Sequence, residues 1–572
     1  MNNTEIADIF DRIANLLEIK GEIIYKILAY RRAAESIRIL NSDLSGLSEK
    51  EILDISGIGQ AIAQKIQELL STGKLDFLQK LENEVPSTLI ELLKVQDLGP
   101  KKAALFWKQA GITSLAELEQ AARADKLSSL PGMGVKSQAH ILAGIEALKQ
   151  EKKRLPIDKA LTIAEKWLEK LRGLKGLKNV EISGSLRRWK PTIGDLDFVG
   201  ASDEQAQVMQ DFTALNGIKQ ILSQGNNKTS VVTEEGLNLQ LWLQPPERFG
   251  SLLQFVTGSK EHNVRLREFS LKQGFSLSER GFVDQELKEK LCPKEADVYQ
   301  NLGLPYIFPE MREDRGEIQS AIKNELPTLV SIDDICADLH VHTNWSDARA
   351  SMEDMVQAAI KRGLKVLAIT DHSNATNGVN GLDEKRLKEQ AVEIQKLREK
   401  YSSLITLLHG IEAEILEDGS LDLAEETLSK LDIVVASLHE YLYQPRKVIS
   451  ARLVKAIRNP LVDIIAHPGG RELPRTNGAD LNWDEVFNAA RENQVALEIN
   501  SNPVHMDMDE VRARSANEFG VLISIDTDSH TIHKFENLKF GVSVARRAWV
   551  DKQAVINTWP TKKIIGWLKN RK

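Results

Sequence analysis

Seven short apolar runs, each closing on a histidine or an acid, constrain the second half of this chain more than any other feature. The first passes from Ile335 and Ala337 into Asp338-Leu339-His340-Val341-His342, with Asp347 a short turn later. On a strand, side chains two apart share a face, so His340 and His342 project together. The run 366–370 enters Asp371-His372, and 404–408 enters His409-Gly410-Ile411-Glu412. The run 433–437 enters Leu438-His439, and 462–466 enters His467-Pro468. Val495 leads to Glu498, and Val521 leads to Asp526 and then to Asp528-Ser529-His530. Helix-like segments such as 352–362 and 383–401 lie between the runs. Short apolar strands alternating with helices predict a parallel sheet, with a barrel as its closure. Polar residues at the C-terminal ends of barrel strands read as a catalytic site. Imidazoles mixed with carboxylates suit Zn²⁺ or Mn²⁺ rather than Ca²⁺.

The succession DLHVHT with SD, then TDHS, a Glu, SLH, HP and DSH resembles the PHP domain, the distorted barrel of metal-dependent phosphoesterases. The resemblance spans roughly 336–572. It implies a Mn²⁺ or Zn²⁺ cluster held by His340, His342, Asp347, His372, Glu412, His439, His467, Asp528 and His530. His409, His505 and His533 lie outside the pattern and read as surface residues or as supports to the ligands.

The chain has 572 residues, enough for three or four domains. Hydrophobic residues make up 42% and charged residues 27%, as expected of a soluble globular chain rather than a membrane or disordered one. Cys292 and Cys336 stand far apart, which excludes a disulfide framework and fits a reducing cytoplasm. No apolar run is long enough to cross a membrane, no signal peptide is visible, and a monomer is expected. The net charge of −7 does not by itself call for nucleic acid, yet 151–190 carries 12 Lys/Arg against 5 Asp/Glu.

At the N-terminus, Ile6, Ile9, Ile13, Leu16 and Leu17 recur at helical spacing and predict packed helices. Three tight turns follow: Gly57-Ile58-Gly59, Leu98-Gly99-Pro100 with Lys101, and Gly132-Met133-Gly134. Each places glycine before a helix start, which resembles the helix-hairpin-helix motif. Glycine permits positive φ and close approach of a backbone, and the helix N-terminus can hold a phosphate. Such contacts grip DNA without reading its sequence. Lys65, on the helix after the first turn, matches the Schiff-base lysine of the 5′-deoxyribose phosphate lyase in the DNA polymerase β family. The alternative is that Lys65 only contacts phosphate.

Between these halves, Gly184-Ser185-Leu186-Arg187-Arg188 precedes Gly194-Asp195-Leu196-Asp197. Asp-x-Asp on a strand puts both carboxylates on one side, suited to Mg²⁺ on substrate phosphates. The Gly-Ser turn and Arg188 can cradle a triphosphate. This resembles the palm of X-family DNA polymerases, whose metal is Mg²⁺ or Mn²⁺. Phe255-Val256-Thr257-Gly258-Ser259 through Asn263 resembles that family's YFTGS…N segment. The resemblance makes Gly184, Ser185, Arg188, Gly194, Thr257, Gly258 and Asn263 the nucleotide site and puts Arg267 near the template. It departs at one point. Family palms carry a third catalytic Asp in a pattern like DLRVVPP. Here the strand reads Leu239-Gln240-Leu241-Trp242-Leu243-Gln244-Pro245-Pro246, which puts Gln240 at the Asp position and Trp242 at the Arg position.

The whole order resembles the bacterial PolX family. It implies a multidomain α+β and α/β chain: a helical lyase-like domain over 1–85, helix-hairpin-helix fingers over 86–154, a nucleotidyltransferase palm over 155–247, a thumb over 248–325, a linker over 326–335 and the PHP barrel over 336–572. The activity expected is DNA-directed nucleotidyl transfer joined to 3′–5′ exonuclease or phosphatase chemistry. Its partners are dNTPs and gapped or nicked DNA with 3′ ends. The departure at Gln240 leaves a weakened palm as the expectation. The alternatives are a full dual-function polymerase in which Glu234 or Glu235 replaces the lost acid, and a DNA-end-binding scaffold with a structural metal cluster.

Overall fold

The computed structural model describes residues 3–38, 44, 47–53, 55, 57–93, 95, 98–127, 130, 131, 133, 134, 138, 141, 142, 144, 145, 154–376, 378–473, 476 and 478–571. The chain divides into two units, Met1–Lys153 and Arg154–Lys572. In the first, helices Asn3–Lys20 and Ile24–Arg38 pair through the apolar positions picked out by their spacing. Tyr30 stacks between Phe10 and Phe77, with ring centroids 5.9 and 5.8 Å away. Helix Gln60–Thr72 starts directly after Gly59, and helix Pro100–Ala110 directly after Gly99. Gly57 has φ +88°, a conformation that a side chain would strain. Pro100 at the first helical position loses no hydrogen bond that the helix needs. Gly132, in the third turn, lies outside the described residues.

In the second unit the palm is a five-stranded mixed sheet. Its order is Asn179–Ile182, Asp195–Ala201, Asn238–Gln244, Lys228–Thr233, Ile218–Gln224. Helices Ile157–Arg172 and Phe249–Thr257 pack against it, burying Trp167 and Leu171 from one and Leu252 and Leu253 from the other. The barrel places Ala337–Asp338, Val366–Ile369, Thr406–Glu414, Ile433–Ser437, Ile464–Ile465, Ala496–Asn500 and Ile523–Asp526 side by side in chain order, all parallel. A parallel bridge between Val341 and Ser529 brings the two ends of the sheet together. Along each strand, alternate residues serve two cores. Ala337, Val366, Ile433 and Ile464 pack with Trp559, Ile564 and Trp567 of the C-terminal segment. Leu367, Val434, Ile465 and Leu497 join the larger core instead.

Two expectations need correction. The first barrel strand ends at Asp338 rather than running through Val341. Beyond it the backbone turns to side-chain acceptors: Leu339 N donates to Asp526 Oδ1 at 2.7 Å and Val341 N to Thr370 Oγ1 at 2.9 Å. Glu412 is not at a strand end but inside Thr406–Glu414, whose first half pairs with one neighbour and second half with the next. Within the segment 326–335, read as a linker, Val330 and Ile335 are buried in a core that palm and barrel share. Trp189 of the palm meets Phe540 of the barrel edge to face at 6.1 Å.

Palm and thumb are locked by Glu295. Its carboxylate accepts two bonds from Arg187, each 2.7 Å, and further bonds from Arg312 at 2.6 Å and Tyr306 at 2.5 Å. Burial opposes the charge, but the two guanidiniums outweigh it and hold the carboxyl far below its usual range. Breaking a buried pair costs about 3–5 kcal/mol, because the remaining charge is stranded. Glu295→Gln should therefore lower the chemical-denaturation midpoint of the Arg154–Lys572 unit by that equivalent. Glu286→Gln, on the exposed thumb hairpin, should stay within about 0.5 kcal/mol of the parent.

Candidate metal centre and nucleotide site

The barrel strands deliver nine side chains to one end of the barrel, and Glu412 stands among them. Its carboxylate lies 2.8 Å from His372 Nδ1, 3.1 Å from His467 Nε2, 3.4 Å from His340 Nε2 and 3.5 Å from both His342 Nε2 and His439 Nε2. Asp528 Oδ1 is 3.1 Å from His342 Nε2, and Asp347 Oδ2 is 3.2 Å from His530 Nε2. Three overlapping donor groups result: His342, Asp347, His372 and His530; His340, His342 and Glu412; His372, Glu412 and His439. All nine residues implied by the PHP resemblance are thus brought together. The donors fit divalent metal. His342 Nδ1, His372 Nδ1 and Glu412 Oε2 are buried without an aligned hydrogen bond, although His372 Nδ1 and Glu412 are only 2.8 Å apart. Nitrogen and carboxylate atoms crowded in this way can share a divalent cation.

Residues outside the expected set orient these ligands. Glu498 Oε1 is 2.8 Å from His340 Nδ1, and Glu414 Oε2 is 2.7 Å from His439 Nδ1. Each bond puts the proton on Nδ1 and leaves Nε2 for a metal. Glu498 also accepts from His467 N at 2.7 Å. Both acids are buried within apolar strands, a placement visible in the sequence that signals a partnered charge. His409 is buried and bonds Gln390, His505 stacks near His467 with ring centroids 6.2 Å apart, and His533 is exposed.

In the palm, Asp195 and Asp197 alternate onto one face of strand Asp195–Ala201. Gly184, at φ +60°, lies so close that a Cβ there would fall 2.2 Å from Asp197 Oδ2. Ser185 Oγ, one residue on, is buried without a hydrogen-bond partner. Arg188 donates to the Thr257 carbonyl at 2.5 Å and to Glu313 at 3.0 Å, and Gly258 sits against its guanidinium. Gly184 thus abuts Asp197, while Arg188, Thr257 and Gly258 meet one another. Gly194 faces Arg154 instead, and the Asn263 amide is engaged by Phe255 O at 2.7 Å and Gln254 at 2.8 Å. Arg267 is exposed on helix Lys260–Lys272. The parallel register sets Gln240 opposite Asp197, Asn238 opposite Asp195 and Trp242 opposite Val199. Glu234 and Glu235 are exposed in the turn before that strand. Lys228 Nζ lies 4.0 Å above the Trp242 ring.

In the first unit, Gly59 and Gly99 open their helices with empty space where a side chain would be, and Lys101 is exposed beside the second. Gly134 is likewise open. Lys65 Nζ donates to Ala61 O at 3.2 Å and lies 5.1 Å from the Phe77 ring centroid.

Electrostatics at the metal centre predict a pH signature. Burial pulls His467 and His530 down, but Glu412 beside one and Asp347 beside the other outweigh it and raise each to about 9. Against the same burial, Glu498 and Glu412 raise His340, and Glu412 raises His372. Burial and the neighbouring His372 and His530 lower His342 to about 3. Without metal, the four raised imidazoles stabilise the fold fully below about pH 6.5, the unfolded value, and lose that contribution toward pH 9. His342 is neutral in the folded state throughout that window, and its unfolded form loses its proton just above pH 6.5, a small opposing slope that one group cannot make larger than that of the four. Chelator-treated protein should therefore melt at progressively lower temperature from pH 6.5 to 9. Metal-loaded protein, whose ligands must be neutral imidazoles, should not. A flat or rising melting temperature in the chelated sample would contradict this.

Family models match a helix-hairpin-helix domain over 1–75, a SAM-like helix-hairpin-helix tandem over 89–146, a DNA polymerase beta thumb over 252–313 and a PHP domain over 338–502. Over 573 residues, covering all of both chains, the sequence is 36% identical to the DNA polymerase/3'-5' exonuclease PolX of Bacillus subtilis (strain 168). It is 32% identical over 246 residues to a probable phosphatase of Thermoanaerobacter sp. (strain X514), which is 41% of this chain and 95% of that protein. It is 31% identical over 243 residues to a probable phosphatase of Clostridium botulinum (strain Hall), 41% of this chain and 94% of the other. Full-length identity, a polymerase thumb and a PHP barrel with its donor set together place this chain in the bacterial PolX family.

Proposed function

We propose that this protein is a cytoplasmic, monomeric DNA-repair enzyme that hydrolyses DNA 3′ ends at the barrel centre and adds nucleotides at the palm, the second activity weakened by Gln240. The convergence of nine side chains able to bind metal, Glu412 among them, carries the hydrolytic reading. A Mn²⁺ or Zn²⁺ cluster bound there would supply an acidified water and neutralise charge on the phosphorane-like transition state. The chain's own part is to orient the imidazoles, with Glu498 and Glu414 holding His340 and His439 by Nδ1 so that Nε2 faces the centre. Gapped or nicked duplex is gripped by the open glycine turns, which contact phosphate without reading bases. In the palm, Asp195 and Asp197 suit Mg²⁺ or Mn²⁺ on a dNTP, with the Ser185 hydroxyl and Arg188 on its phosphates.

Replacing His340 and His342 together with Ala should abolish metal-dependent shortening of a 5′-labelled primer while gapped-DNA binding persists. Undiminished digestion by the purified double variant would sink the assignment.

Gln240 offers a neutral carbonyl where the family places a carboxylate. It can accept a hydrogen bond but brings no charge to a hard cation. Losing one transition-state contact of about 3–4 kcal/mol slows a step by roughly two to three powers of ten. Single-turnover primer extension, in a background silenced at His340, should accordingly be slow with Mg²⁺ and faster in Gln240→Asp. Parent extension at about one per second or faster would instead establish a full dual-function polymerase.

A further inference from the structure

The loop after metal ligand His439 carries two exposed aromatics for which the hydrolytic chemistry has no use. Tyr441 is 59% and Tyr443 79% exposed, and among the described residues of the barrel domain no other Phe, Tyr or Trp is exposed. The loop beneath them is held at several points. Glu414, which also orients His439, accepts from His439 N at 3.2 Å and Glu440 N at 3.4 Å. Arg452 donates to the Glu440 carbonyl at 2.8 Å and lies 5.9 Å from the Tyr441 ring centroid. Between the tyrosines, Leu442 packs onto Gly470, so closely that a Cβ on Gly470 would be 2.9 Å from Leu442 Cδ2. Gly470 itself turns back to the carbonyl of His467, a second metal ligand. The loop therefore spans two ligand-bearing strand ends at the rim of the metal centre. Tyr441 takes φ +58°, a conformation rare for a bulky residue, and persists in it because both sides are pinned. Its Cα can be no more than about 7 Å from that of His439.

Exposed aromatic rings on a firmly held loop are what unpaired bases stack upon, whatever their sequence. A nearby duplex would offer only stacked pairs and phosphates. We infer that Tyr441 and Tyr443 form a stacking platform for the last bases of a single-stranded DNA 3′ end, steadying its scissile phosphate at the metal centre. The inference rests on the 3′-end hydrolase reading and adds to it the two side chains that hold the last bases of the substrate.

The test compares the metal-loaded full-length parent, Tyr441→Ala/Tyr443→Ala and Tyr441→Phe/Tyr443→Phe on two 5′-labelled single strands. One strand is ordinary, and the other is abasic at its last three positions, with the same charge and no bases to stack. For the parent, KM should be about ten- to a hundredfold higher on the abasic strand. The Ala variant should show that raised KM on both strands, with kcat unchanged, and the Phe variant should behave as the parent. An Ala variant with parental KM on the ordinary strand overturns the platform. So does an Ala variant that loses equally on both strands, since the loop would then act on the phosphate or the metal. If the parent digests neither strand, the hydrolase reading falls first and the platform falls with it.

Discussion

One buried carboxylate, Glu412, faces imidazole nitrogens of five histidines at 2.8 to 3.5 Å. An ionised carboxylate taken out of water costs several kcal/mol unless charge is returned to it. Here the return comes from the first, second, fourth and fifth strands of the barrel, so those strands must stop at one level. That requirement sets the register of the sheet. It accounts for Thr406–Glu414 being the longest strand, the one that changes partner halfway and carries Glu412 inward. It also accounts for the acids behind the ligands. Glu498 and Glu414 keep His340 and His439 in the tautomer that presents Nε2 to the centre.

A second set of buried charges makes palm, thumb and barrel one body. Arg547, on barrel helix Leu538–Arg547, is 1% exposed. It donates to the Arg188 carbonyl at 2.6 Å, to Glu313 at 3.0 Å and to Glu510 at 2.7 Å. Glu313 in turn holds Arg188 and lies 3.2 Å from Lys190. Burial raises the Glu313 carboxyl, but Arg547 and Arg188 outweigh it and bring it down to about 2. The palm arginine beside the Thr257–Gly258 turn is therefore positioned through a thumb glutamate and a barrel arginine. Removing any member would strand the others, so the setting of this arginine depends on all three parts of the unit.

The two sites differ in the charge that their side chains bring. In the palm, the sheet, the Gly184 approach to Asp197 and the unbonded Ser185 hydroxyl are all in place. Both strand positions facing the acids carry amides, Asn238 and Gln240. An amide fits the same pleat as a carboxylate but brings no charge, whereas the side chains that converge at the barrel centre are imidazoles and carboxylates.

Much of this was legible without coordinates. His340-x-His342, the acids and histidines closing apolar runs, Asp195-x-Asp197 and the glycine turns all follow from local periodicity, because a strand or helix fixes which neighbours share a face. Helix Met352–Arg362 and the start of helix Gln60–Thr72 fall where spacing placed them. Other features depend on partners that no spacing encodes. The first barrel strand stops at Asp338 because Asp526 and Thr370, far along the chain, take its next amides. Val330 and Ile335 are buried because palm and barrel share a core, and Arg547 is buried because acids from two other segments meet it. The sequence by itself determined which side chains could bind metal and which faces they share, since those depend on bonds and dihedrals between near neighbours. Only the tertiary structure decided that Glu412 stands among five histidines and that Gln240 stands beside Asp197, because those distances are set by the packing of strands remote in sequence.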